Sequence, residues 1–139
     1  MTSDAFFDFH EEHLLHPPHA IEAFVRKLTK GIEPIRRTIN ERRQAPRYRL
    51  TIVATVQDID EQLQAVGDAF EVVTRDISTL GIGIPNTRPV ETKYLGVQLT
   101  APDGETIKLL TEVVRCEERE NAYDIGVRIL SKADTLSAA

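Results

Sequence analysis

Two periods of hydrophobic recurrence divide the chain. Over residues 3–40 the apolar positions recur at helical spacing. Phe6, Phe7, Leu14 and Leu15 form a first short helical set, capped by Ser3 or Asp4 and interrupted by Pro17 and Pro18. Ile21, Phe24, Val25, Leu28, Ile32, Ile35 and Ile39 form a second stripe, which Gly31 and Pro34 break or kink into one helix or two. A stripe of this kind has to be covered, by a neighbouring domain or by a second copy of itself.

From Tyr48 the period falls to two. Leu50, Ile52, Ala54 and Val56 alternate with Arg49, Thr51, Val53 and Thr55, as in a half-buried strand. Residues 58–68 are acidic and polar and read as a long connection. Further strands are predicted over Phe70–Ile77, from Ile82 through Ile84, over Tyr94–Thr100, over Thr106–Cys116 and over Tyr123–Leu130. Ser78-Thr79-Leu80-Gly81 and Pro102-Asp103-Gly104 read as turns, Glu117 to Asn121 turns the chain once more, and the tail after Ser131 reads as frayed. Six antiparallel strands with short connections predict a small closed barrel, because closure removes exposed edges. The predicted organisation is a helical extension over 1–40, a barrel over 41–131 and a flexible tail over 132–139.

Charge changes this picture. The 139-residue chain carries a formal net charge of −5. Yet Arg36, Arg37, Arg42, Arg43, Arg47 and Arg49 crowd into fourteen positions against one acid, Glu41. A basic island in an acidic chain points to a compact anionic partner more than to a long polyanion, which favours a broad basic face. The island holds no Lys. Arginine offers a planar fork that fits phosphates and guanine edges, and its face stacks on bases. The alternative is a solvated run of charge. The one cysteine, Cys116, excludes an intrachain disulfide, fits a reducing compartment and reads as a small buried apolar residue.

Two motifs give the island a use. Arg43 and Arg47 have the spacing R-x-x-x-R. In TRDISTLGIGI, Asp76, Ser78 and Gly81 have the spacing D-x-S-x-x-G. With the strand pattern around them, roughly Glu41 to Leu130 resembles the PilZ domain, a bacterial receptor module for cyclic di-GMP. The resemblance implies a β-barrel, a noncatalytic role and a dinucleotide bound by these five residues. It also implies that Arg42, just before the first motif, goes with capture of a stacked pair of ligands. The chemistry can be argued beside the resemblance. Arg43 and Arg47 suit the O6 and N7 acceptors of guanine or the phosphates. Asp76 suits the N1 and N2 donors, Ser78 can donate from its hydroxyl, and Gly81 supplies a positive φ and room for a ligand near the backbone. The alternative is a plain turn that Asp76 and Ser78 stabilise locally, with Arg43 and Arg47 solvated. Pro46 sets an extended or turned segment at Ala45, suited to an arginine loop that orders when ligand arrives.

Other classes are weaker. His10, His13, His16 and His19 recur every three residues, but H-E-E-H has the wrong spacing for the zinc motif and reads as a partly exposed helix face. No nucleophile with a paired base and no phosphate loop is present, so no enzyme is expected. The expected partners are cyclic di-GMP, a protein that receives the signal, and a second copy through the N-terminal helices. No cofactor, metal, nucleic-acid polymer or membrane insertion is expected, and the expected location is the cytoplasm. Two rivals stay open: a PilZ-type scaffold that binds only protein, and a small barrel that binds RNA or DNA through the arginines.

Overall fold

The computed structural model describes residues 14–15, 18–35, 45–86 and 88–133. Strand β1 is Leu14–Leu15 and helix α1 is Pro18–Leu28. Strands β2 (Tyr48–Arg49), β3 (Val53–Ile59), β4 (Ala65–Val73), β5 (Asp76–Ile77) and β6 (Gly81–Asn86) follow. Then come β7 (Tyr94–Thr100), β8 (Thr106–Arg119) and β9 (Ala122–Ala133).

Pro18 begins the helix instead of breaking one, since the first helical position needs no N–H and proline's φ is already right. Arg26 and Lys27 lie in the last turn, where the helix dipole favours cations. The helix stops before Ile32 and Ile35, because Gly31 takes a φ of +82° that ends the helical run. One helix therefore replaces the longer predicted stripe, and Ile39 lies outside the described residues. Ile21, Phe24, Val25 and Leu28 join the same buried cluster as Val56, Ile84, Val97, Leu109 and Ile125 of the sheet. The part of the stripe that lies on α1 is thus covered by the chain's own sheet. Lys27 pairs with Asp103 at 2.8 Å and also with Glu105, tying the helix to the β7–β8 turn. Leu14 and Leu15 are strand, not helix: they pair with Ala133 and Lys132. That pairing also carries β9 to Ala133, past the predicted start of the tail.

The fold is mainly β and antiparallel. The ladders run β2-β5-β6-β9-β8-β7-β3-β4, with β1 as a ninth strand on β9. They end at β2 and β4 and are not closed into a barrel, which corrects the six-stranded barrel. Two predicted strands are each interrupted, between β2 and β3 and between β4 and β5. At the interruption the Thr74 hydroxyl takes over ladder bonds, accepting from Ile52 N at 3.1 Å and donating to the Leu50 carbonyl at 2.6 Å. The predicted connection over 58–68 is mostly strand. Only Asp60 to Gln64 turn, with Asp60 Oδ1 accepting from the amides of Gln62 and Gln64 at 2.9 Å each.

Strand β8 outruns its neighbour. The β7–β8 ladder ends at Tyr94↔Glu112, while β8 continues along β9 to Arg119. Cys116 is consequently exposed, contrary to the buried reading. Among the described residues no helix is long and apolar enough to cross a membrane. His10, His13 and His16 lie outside the described residues, and His19 stands in α1.

Candidate functional site

The register builds one row across five strands. Arg49 faces Asp76, Asp76 faces Gly83, Gly83 faces Gly126, and Gly126 faces Arg115. Their neighbours Ile77, Ile82, Ile84, Ile125 and Val127 are buried in the core, so alternation puts this row on the other face of the sheet. The two glycines form its floor. A Cβ on Gly83 would meet Arg75 Nη2 at 2.5 Å and the Asp76 carboxylate at 2.9 and 3.0 Å. One on Gly126 would meet the Arg115 guanidinium at 3.1–3.3 Å. The missing side chains are what let these charged groups lie flat on the sheet.

Asp76 is only 6% exposed. A buried carboxylate needs charged or hydrogen-bonded partners. Arg75 Nε donates to Asp76 Oδ2 at 2.9 Å, and Arg47 Nη1 approaches Oδ1 at 3.4 Å. The second arginine of R-x-x-x-R and the acid of D-x-S-x-x-G therefore meet, 29 positions apart in sequence. Arg75 also reaches Asp124 of β9, which Arg115 Nη2 approaches at 3.5 Å and Arg119 Nε at 3.6 Å. Burial pushes the Asp124 carboxyl up, but the Arg75 hydrogen bond and the surrounding guanidinium charges outweigh it, and its pKa is lowered.

These groups line a cavity of about 470 Å³. Arg47, Arg49, Arg75, Arg115 and Arg119 face Asp76, Glu117 and Asp124 there, a local excess of positive charge inside an acidic chain. Ile35 completes the wall, and its amide donates to the Arg47 carbonyl at 2.7 Å. The residues just after α1 are thus bonded directly to the site. Arg115 Nε is buried and has no hydrogen-bond partner among the described residues. A smaller cavity of about 220 Å³ also has Arg47 on its wall, with Ser78, Leu80, Gly81 and Val114. Leu80 and Val114 are exposed there, Val114 at 60%.

Ser78 does something other than donate to an open site. Its Oγ accepts from the amides of Leu80 at 3.1 Å and Gly81 at 3.0 Å, which fixes the turn. Gly81 is also corrected. Its φ is not positive. A Cβ there would lie 2.6 Å from the Val127 carbonyl oxygen, so glycine is needed for close approach of two backbones. Gly81→Ala is expected to cost about 2–3 kcal/mol, as overpacking against a backbone that cannot yield. Urea denaturation would measure it, and a loss below about 0.5 kcal/mol would refute the close-approach argument.

Arg42 and Arg43 lie outside the described residues. Arg75, Arg115, Arg119, Asp124, Gly83 and Gly126 were not singled out from sequence. One signal for them existed: Arg115, Glu117 and Arg119 alternate on a single strand face, straight after an apolar run.

No curated protein matches this chain. Residues 41–137, well over half of it, match the family model of the PilZ domain. PilZ domains are in general noncatalytic receptors for cyclic di-GMP, and a cavity lined by arginines and carboxylates, with Arg47 and Asp76 among them, fits that class of ligand. On this match the chain belongs to the PilZ domain family.

Proposed function

We propose that this chain is a noncatalytic cyclic di-GMP receptor that passes its state to a protein partner controlling motility, biofilm formation or polysaccharide output. The observation that carries the reading is the meeting of Arg47 and Asp76 on the wall of an arginine-lined cavity. Guanine needs acceptors for N1–H and N2–H and donors for O6 and N7, and phosphodiesters need cations. The cavity offers both kinds of group side by side. Arg43 and Arg47 take the guanine acceptors or the phosphates, Asp76 takes the guanine donors, and Ser78 and Gly81 hold the turn that presents Asp76. Arg42 takes a second, stacked ligand. Arg115 Nε, a buried donor at the same wall, gains an acceptor when the ligand arrives.

The receptor unit is residues 41–131, working as one continuous antiparallel sheet. The bonds Leu50 N to Arg75 O and Thr74 N to Ile52 O support this, because they bridge the interrupted hairpin. The bond from Ile35 to Arg47 gives a route by which ligand capture moves the segment leading to α1. The test is calorimetry on Arg43→Ala and Arg42→Leu. Arg43→Ala should abolish binding, and Arg42→Leu should reduce the ligand count from two per chain to one. Unchanged affinity in Arg43→Ala would overturn its assigned role.

A further inference from the structure

Asp124 belongs to neither motif, yet it joins more of the cavity's cations than any other described acid. Arg75 donates to it, Arg115 lies at 3.5 Å and Arg119 at 3.6 Å, and its side chain is 13% exposed. We propose that Asp124 is a positioning residue that holds these arginines in the order the ligand needs, so that losing its negative charge weakens capture of an anion. This rests on the cyclic dinucleotide reading above and deepens it.

Charge counting gives the opposite sign. Five arginines face three carboxylates in the cavity. Removing one carboxylate raises the positive potential and should strengthen attraction of a dianion. The geometry argues otherwise. Arg75 is shared: its Nε goes to Asp76 and its Nη1 to Asp124. Opposed pulls from two acids leave only one Arg75 nitrogen on Asp76. Without Asp124, nothing among the described residues holds Nη1 away, and Arg75 can fold its fork onto Asp76 in a two-pronged pair. The acceptor that guanine needs would then be occupied from within. Arg115 and Arg119 would keep Glu117 of their own strand as a shared acid, at 3.7 and 3.1 Å, but would lose the acid that ties them across the sheet to Arg75. A ligand would have to reorder them on binding, and that reordering subtracts from affinity. Asp124 lies two residues from Gly126 on the same strand face, next to the floor on which Arg115 rests.

The test uses the full chain with Asp124→Asn and Asp124→Glu. The first readout is calorimetry with cyclic di-GMP at two salt concentrations. The second is the NMR signals of the arginine Nε–H groups without ligand. Asp124→Asn should bind at least tenfold more weakly, Asp124→Glu should recover part of the loss, and the ordered Arg75 and Arg115 signals should broaden or shift in Asp124→Asn. Equal or tighter binding by folded Asp124→Asn would overturn the proposal and uphold charge counting. If the natural chain does not bind, the receptor reading fails. The ligand-free signals still decide the positioning role: their loss in Asp124→Asn supports it and their persistence overturns it. If Asp124→Asn does not fold, Asp124→Glu carries the test, and natural affinity alongside displaced guanidinium signals would sink the proposal.

Discussion

Asp76→Asn is expected to weaken cyclic di-GMP binding by at least about a hundredfold while the chain stays folded. A hydrogen bond to a charged group is worth about 1.5–3 kcal/mol, and guanine can give two to one carboxylate. Losing both converts to roughly a hundredfold or more in Kd. Asparagine keeps the shape and one acceptor, but its NH2 group meets another donor, whether guanine or the guanidiniums of Arg75 and Arg47 already there. Stability should fall too, since two arginines lose a nearly buried counter-charge. The comparison is Asp68→Asn, an exposed acid on β4 away from the cavity, which should bind as the natural chain does. Calorimetry on both variants decides. Equal affinities would remove Asp76 from the ligand's contacts.

The second large effect is on the fold. Phe24→Ala is expected to destabilise the chain by about 3–4 kcal/mol, in the range for deleting a buried aromatic ring. Phe24 is 5% exposed and shares a cluster with the core strands, so its loss leaves a cavity between helix and sheet. For a chain of this size that corresponds to a fall in Tm on the order of 10–15 °C. The Lys27 pairs with Asp103 and Glu105 are exposed and hold little by themselves, so they do not compensate. Thermal unfolding followed by circular dichroism would measure the shift. A change under about 1 kcal/mol would mean that α1 is an appendage and not part of the core.

What could be read in the sequence depended on whether local spacing carried the information. Strand β7 is where alternation put it, Tyr94–Thr100, because each inward residue of that strand meets the core. The helical face of Ile21, Phe24, Val25 and Leu28 was visible for the same reason. The interruption at Thr74 was not, because a hydroxyl replacing a backbone partner leaves the hydrophobic pattern unchanged. Strand β1 was misread because two leucines pair with residues at the far end of the chain, a contact no local period reports. Cys116 was misread because its exposure depends on where the neighbouring strand ends.

The site divides in the same way. The motifs flagged Arg47, Asp76, Ser78 and Gly81 by spacing, and the structure draws Arg47 onto Asp76. Arg75, Arg115, Arg119 and Asp124 converge through register across several strands, which spacing along the chain does not encode. Gly81 shows how a correct choice of residue can carry a wrong reason. The motif needs glycine for the 2.6 Å approach to the Val127 carbonyl, not for a positive φ.

The measurement that tests the central claim most directly is a calorimetric titration of the unaltered chain with cyclic di-GMP. The account predicts saturable binding at a whole-number ratio, weakening as salt rises because the capture is of an anion by arginines. A folded protein that gives no saturable heat at high micromolar ligand would contradict it, and the arginine cavity would then have to serve a protein partner instead.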